Sequence, residues 1–176
     1  MSDFIPDLQI QRWPHQSSRK EMDDFYGDPR GKGGKESKEW VKKYLTTIMP
    51  PWKMIYVEKR KTTVIRQFQF NKVAAPSLTR VLNAIWEHYD KDQSKIEAYG
   101  LDRFGGTFNF RPIRGSTHLS NHAYGCAIDI DPDHNPLGAT HGRMPPDVVA
   151  LFKAEGWRWG GDYHGRKDWM HFEAVR

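Results

Sequence analysis

The chain has 176 residues, of which 38% are hydrophobic, 13% aromatic and 28% charged, with a formal net charge of +5. That length fits one domain with a buried core, and the composition excludes a disordered or fibrous chain. No apolar run is long enough to span a bilayer, and the single cysteine, Cys126, excludes an intramolecular disulfide.

The segment from Met1 to Trp13 is polar and interrupted by Pro6, with Pro14 next, so it lacks the pattern of a secretory leader. Accumulation in the cytoplasm as synthesised is the expectation. Residues 1–35 read as irregular. Gly27–Lys35 is a loop rather than a phosphate cradle, because Pro29 and Glu36 stand where a P-loop needs Gly and Ser or Thr. Trp40, Tyr44, Leu45 and Ile48 share one helical face, ended by Pro50-Pro51. Met54–Val57 and Val64–Phe70 read as two strands, a candidate hairpin across the basic Lys59-Arg60-Lys61.

A stronger helix is predicted from Pro76-Ser77, where Leu78, Val81, Leu82, Ile85, Trp86 and Tyr89 recur at three- and four-residue steps as a core stripe. Gly105-Gly106 opens a predicted strand over Thr107–Arg111. A second strand, Ala127–Asp131, would turn Asp129 and Asp131 to one face. Pro145-Pro146-Asp147 starts a helix carrying Val148, Val149, Leu151 and Phe152, and Gly156 caps it. A last loop and strand run from Trp157 to Phe172. The pattern is α+β in a single domain, with a small antiparallel sheet and flanking helices. Residues 1–100 form a basic helical and strand portion, and residues 101–176 carry the motifs.

The charge is unevenly spread. Residues 1–100 hold 18 Lys and Arg against 13 Asp and Glu, whereas residues 101–176 hold 9 of each. Lys59, Arg60, Lys61, Arg66 and Lys72 make either a face for a polyanion or a plain solvated surface. No reader motif accompanies the charge, so no specific nucleic-acid partner is expected.

The chemistry concentrates in two segments, Ser120-Asn121-His122-Ala123-Tyr124-Gly125-Cys126-Ala127-Ile128-Asp129 and Asp168-Trp169-Met170-His171-Phe172-Glu173. His122, Asp129 and His171 are a two-His, one-carboxylate set that suits zinc and leaves a position for water. Asp168, three residues before the second His, is a carboxylate free to act as a base. Cys126 lies in an apolar alternating run and reads as a buried small hydrophobe. Asp129-x-Asp131-x-Asp133 tempts towards calcium, but His134 and Thr140 occupy the positions where such a loop needs Gly and Glu. Asp131 to Asn135 is therefore read as turn chemistry.

The pattern Ser120-x-His122-x-x-Gly125-x-Ala127-x-Asp129, with Trp159-Gly160-Gly161-Asp162 and Asp168-x-x-His171, resembles the zinc D-Ala-D-Ala carboxypeptidases of the VanY type. It is similar above all to their relatives among phage endolysins that cut between L-alanine and D-glutamate in peptidoglycan stems. The resemblance spans roughly residues 104–174. It implies one zinc ion held by His122, Asp129 and His171, with Asp168 as general base. Arg111 and Arg114 are both candidates for the arginine that binds the scissile carbonyl oxygen or a substrate carboxylate, and Arg111 is preferred because Pro112 stiffens its position. Ser120 either contacts substrate or orients His122, and Trp159 is a candidate wall of the substrate site. The implied protein is a monomeric hydrolase of peptidoglycan, an endolysin acting on the wall after release. The alternatives are a D-Ala-D-Ala carboxypeptidase and, in another class, a zinc-containing wall-binding module without catalysis.

Overall fold

The computed structural model describes residues 12–113 and 115–176. Five α-helices and three antiparallel sheets are present among the described residues, an α+β domain with one continuous core. The part of the region expected to be irregular that falls in residues 1–11 lies outside the described residues. The rest of it holds a helix, α1 (Arg19–Tyr26), capped by the Ser18 side chain, which accepts from the Glu21 amide at 3.2 Å. Ser18-Arg19-Lys20-Glu21 is the Ser-x-x-Glu start signal of a helix.

Helix α2 (Lys38–Tyr44) begins at Ser37 in the same way, but it does not continue to Ile48 as expected. Leu45–Ile48 is strand β1. Its β-branched Thr46-Thr47-Ile48 favours extended backbone, and β4 (Phe68–Asn71) pairs with it from Leu45↔Asn71 to Ile48↔Phe68. The strand expected over Val64–Phe70 is accordingly two strands. β2 (Met54–Glu58) and β3 (Lys61–Ile65) form the expected hairpin, and Phe68 onwards belongs to the other ladder.

Helix α3 (Ala75–His88) buries Leu78, Val81, Leu82 and Ile85, as its stripe requires. Helix α4 (Gln93–Ala98) leads to β5 (Phe104–Gly106). The strand therefore precedes Thr107–Arg111 rather than occupying it, because Gly106 takes φ +135° and turns the chain away.

β5, β6 (Ala127–Ile130), β8 (His171–Glu173) and β7 (Arg158–Trp159) make a four-stranded antiparallel sheet in that order. Ile128 pairs with Phe172, and Asp129 with His171. One face of these strands is therefore apolar and the other ionisable. On the apolar face Phe172 stacks on Phe152 of helix α5 (Pro146–Ala154), ring centroids 3.9 Å apart. Asp131 does not share the face of Asp129. It ends β6 in left-handed backbone, φ +52°, and folds onto its own turn, accepting from His134 Nδ1 at 2.8 Å and Asn135 Nδ2 at 3.0 Å.

Asn71 binds the two halves together. Buried at the end of β4, its Nδ2 donates to the carbonyls of Tyr26 (3.2 Å) and Tyr124 (3.0 Å), and its Oδ1 accepts from the Val73 amide. Its backbone N–H donates to Gly125 O at 2.8 Å, fixing the turn that carries His122. Removing that side chain strands buried carbonyls, which costs about 1–3 kcal/mol per orphaned group. Asn71→Ala is therefore expected to lower unfolding free energy by about 2–4 kcal/mol in urea titration. A change under about 0.5 kcal/mol would show that this contact is not a structural joint.

Candidate metal centre

His122 lies in a single 3-10 turn, Asn121–Tyr124. The Ser120 hydroxyl caps the turn by accepting from the His122 amide at 3.3 Å, and Gly125 closes it in left-handed backbone at φ +65°. A Cβ at Gly125 would also sit 2.9 Å from Leu45 Cδ2, so glycine is required twice over. Asp129 comes from β6 and His171 from β8, opposite one another in the ladder. Three independent pieces of chain thus deliver three donors, which lie within 4.8 Å of one another. His171 Nδ1 is 2.8 Å from Asp129 Oδ1, His122 Nε2 is 3.3 Å from Asp129 Oδ2, and the two imidazole nitrogens are 3.2 Å apart.

The outward nitrogen of each imidazole has a fixed acceptor. His122 Nδ1 faces the carbonyl of Thr107 at 2.6 Å, and His171 Nε2 faces Glu173 Oε2 at 3.0 Å. Both partners only accept, so those nitrogens carry protons, and His122 Nε2 with His171 Nδ1 are the two turned to a common point. Glu173 is itself buried and held by Tyr163 (2.7 Å) and Asn121 (2.5 Å). This donor set, oriented from behind, fits a divalent ion of the zinc type.

Asp168 stands apart from that set. Its Oδ1 is buried with no hydrogen-bond partner among the described residues. Burial raises its pKa, the nearby Asp129 and Glu173 charges add to the rise, and His171 and His122 oppose it. Gly160 makes room for it, since a Cβ there would meet the Asp168 carbonyl at 2.3 Å. An unpartnered carboxylate with a raised pKa is suited to exchanging protons. Cys126 is fully buried, and burial pushes its thiol pKa well up, so it has no nucleophilic role.

His122, Asp129, His171 and Asp168 line one cleft of about 670 Å³, together with Ser120 and Arg111. The Arg111 side chain is exposed and forms no ion pair among the described residues. Arg114 lies outside the described residues. Ser120 is buried as the cap of the His122 turn. Trp159 does not line the cleft. It donates to the Trp169 carbonyl at 2.9 Å and stacks behind Phe172. Of the groups that hold the imidazoles, Glu173 has a signal in the sequence, whereas Tyr163, Asn121 and the Thr107 carbonyl have none. The i, i+2 spacing of His171 and Glu173 on one strand face was the available signal for the first.

Burial opposes charge on His171, but hydrogen bonds and charge from Asp129 and Glu173 more than offset it and raise its pKa to about 10. An imidazolium favoured by folding stabilises fully below the ordinary histidine value of about 6.5, and the contribution fades as pH rises through about 10. In chelator-treated protein, the urea midpoint is expected to fall steadily from pH 7 to about 10, and Glu173→Gln should flatten that slope. A midpoint constant over this window would remove the coupling.

Residues 114–174 match a family model described as D-alanyl-D-alanine carboxypeptidase. No solved structure matches the chain. The matched segment includes the His122 turn, β6, the Asp168 loop and β8, and it supports a peptidase. Within the matched segment lie His122, Asp129, Asp168 and His171, so this part of the chain is similar to the D-alanyl-D-alanine carboxypeptidases that the sequence resemblance named.

Proposed function

We propose that the chain is a zinc-dependent peptidase that hydrolyses an amide bond of the peptidoglycan stem. The bond assigned first is the one between L-alanine and D-glutamate, cut by an endolysin. The observation that carries the reading is the convergence of His122 Nε2, Asp129 and His171 Nδ1 in the same cleft as the orphaned carboxylate of Asp168.

A zinc ion held by His122, Asp129 and His171 would supply an acidified water and polarise the scissile carbonyl. Asp168 would accept a proton from the attacking water and return it to the nitrogen as the C–N bond breaks. Its raised pKa suits both halves of that exchange. Arg111, on the cleft wall, offers a guanidinium to the oxygen on which charge develops. Glu173 and the Thr107 carbonyl keep the imidazoles aimed throughout.

Two further observations bear on the bond. The cleft shares Gln16, Ile113 and Asn121 with a neighbouring cavity of about 380 Å³. A cavity adjoining the cleft leaves room for more of a peptide than its terminal residue, which supports the endopeptidase. The family description favours the alternative, removal of a terminal D-alanine. A wall-binding module without catalysis would have no use for a buried, unpaired Asp168.

Purified protein should carry about one zinc per chain, and His122→Ala should lose it; full metal content in that variant would contradict the ligand set. Asp168→Asn should keep the metal while kcat drops by about 10²–10⁴. Near-normal turnover would remove Asp168 as the base. Digestion of purified peptidoglycan followed by mass spectrometry should release new N-terminal D-glutamate. Free D-alanine instead would assign the carboxypeptidase, and no product at all would contradict a peptidase.

A further inference from the structure

We infer that the β2–β3 hairpin is a docking element for an anionic lipid bilayer, a surface separate from the cleft and independent of which bond is cut. Both faces of the ribbon are open beyond its base. Val57, Glu58 and Lys61–Val64 are all exposed, and only Met54 at the root is fully covered. The register puts Ile55 opposite Val64 and Val57 opposite Thr62, so one face carries the branched apolar side chains of half-buried Ile55 and exposed Val57 and Val64, with Thr62 beside them. Val57 is 36% exposed and Val64 47%. An apolar strip left in water on a two-stranded ribbon lacks the covering such ribbons need.

The tip supplies the second half of the argument. Lys59 and Arg60 hold left-handed backbone at φ +46° and +69°, the two central positions of a hairpin turn that favours Asn-Gly. Two cationic side chains occupy positions where they cost conformational energy. Neither they nor Lys61, Lys53 or Arg66 form an ion pair among the described residues. A polyanion in solution would account for the cations and not for the strip. A bilayer with anionic headgroups accounts for both, since lysine and arginine meet phosphates while the apolar face enters the interface. None of these residues lines the cleft.

Co-sedimentation with vesicles of phosphatidylglycerol in phosphatidylcholine, against phosphatidylcholine alone, tests the assignment. The protein should pellet with the first and stay in solution with the second, and added salt should weaken binding. Lys59→Asn with Arg60→Gly removes two cations and installs the pair this turn prefers, so the fold should hold or gain in melting temperature. Binding should nonetheless weaken by roughly thirtyfold. Val57→Thr with Val64→Thr keeps strand preference and should also weaken binding. Equal binding to both vesicle types, or unchanged binding in either variant, would overturn the proposal. Loss in the charge variant alone would mark a polyanion site, and a dimer dissolved by the threonine variant would assign the strip to self-association. Each of those also contradicts it.

Discussion

The pairing of β6 with β8 is the constraint on which the rest of the site depends. Because Asp129 faces His171 across the ladder, a carboxylate and an imidazole are brought together by backbone hydrogen bonds rather than by side-chain choice. Ala127 faces Glu173 on the same side, and its small side chain leaves space for that buried carboxylate. The opposite face is Ile128 and Phe172, locked against Phe152 in the core. A shift by one residue would turn the ionisable set into the apolar core and the aromatic one towards the cleft. The apolar face thus fixes the register, and the register fixes the chemistry.

Charge makes the same point. Asp129 and Glu173 are two carboxylates flanking one imidazole in a largely dry place, and folding tolerates them only through hydrogen bonds and compensating charge. Once a metal ion replaces the proton on the inward nitrogens, a dication is the charge that balances these two carboxylates. Asp168, with its pKa raised and its oxygen unpaired among the described residues, is the acidic group of the cleft proposed to move the proton. The N-terminal half supports this arrangement from behind. Tyr26 donates to Ala174 just after β8, Tyr124 beside His122 donates to Asp23 of α1, and Asn71 joins both regions.

Much of this was legible in the sequence, for identifiable reasons. His122, Asp129, His171 and Asp168 sit in short motifs whose spacing reflects a turn and two strands, so local pattern sufficed. Helix α3 declared itself through an uninterrupted apolar stripe. What escaped depends on distant partners. Leu45–Ile48 continues a helical pattern on paper, and only its pairing with Phe68–Asn71 makes it a strand. The 107–111 segment alternates like a strand, but after Gly106 turns the chain it meets residues 120–122 through separate bonds, Asn109 N–H to the His122 carbonyl and Ser120 N–H to the Arg111 carbonyl, rather than a ladder. Asn71 and the Thr107 carbonyl carry no sequence signature, because a buried amide and a backbone oxygen take their meaning from what folds against them. α1 has a Ser-x-x-Glu start, but in its eight residues only Met22, Phe25 and Tyr26 mark an apolar face, too short a stripe to stand out in a segment expected to be irregular.

In the proposed centre two differently oriented imidazoles and one carboxylate share a single zinc ion. A crystal structure with anomalous data on both sides of the zinc edge tests it most directly. One strong peak is expected, bounded by His122 Nε2, Asp129 and His171 Nδ1, with His171 Nε2 still turned to Glu173. A peak elsewhere, ligation through His171 Nε2, or no peak in protein supplied with zinc would contradict it.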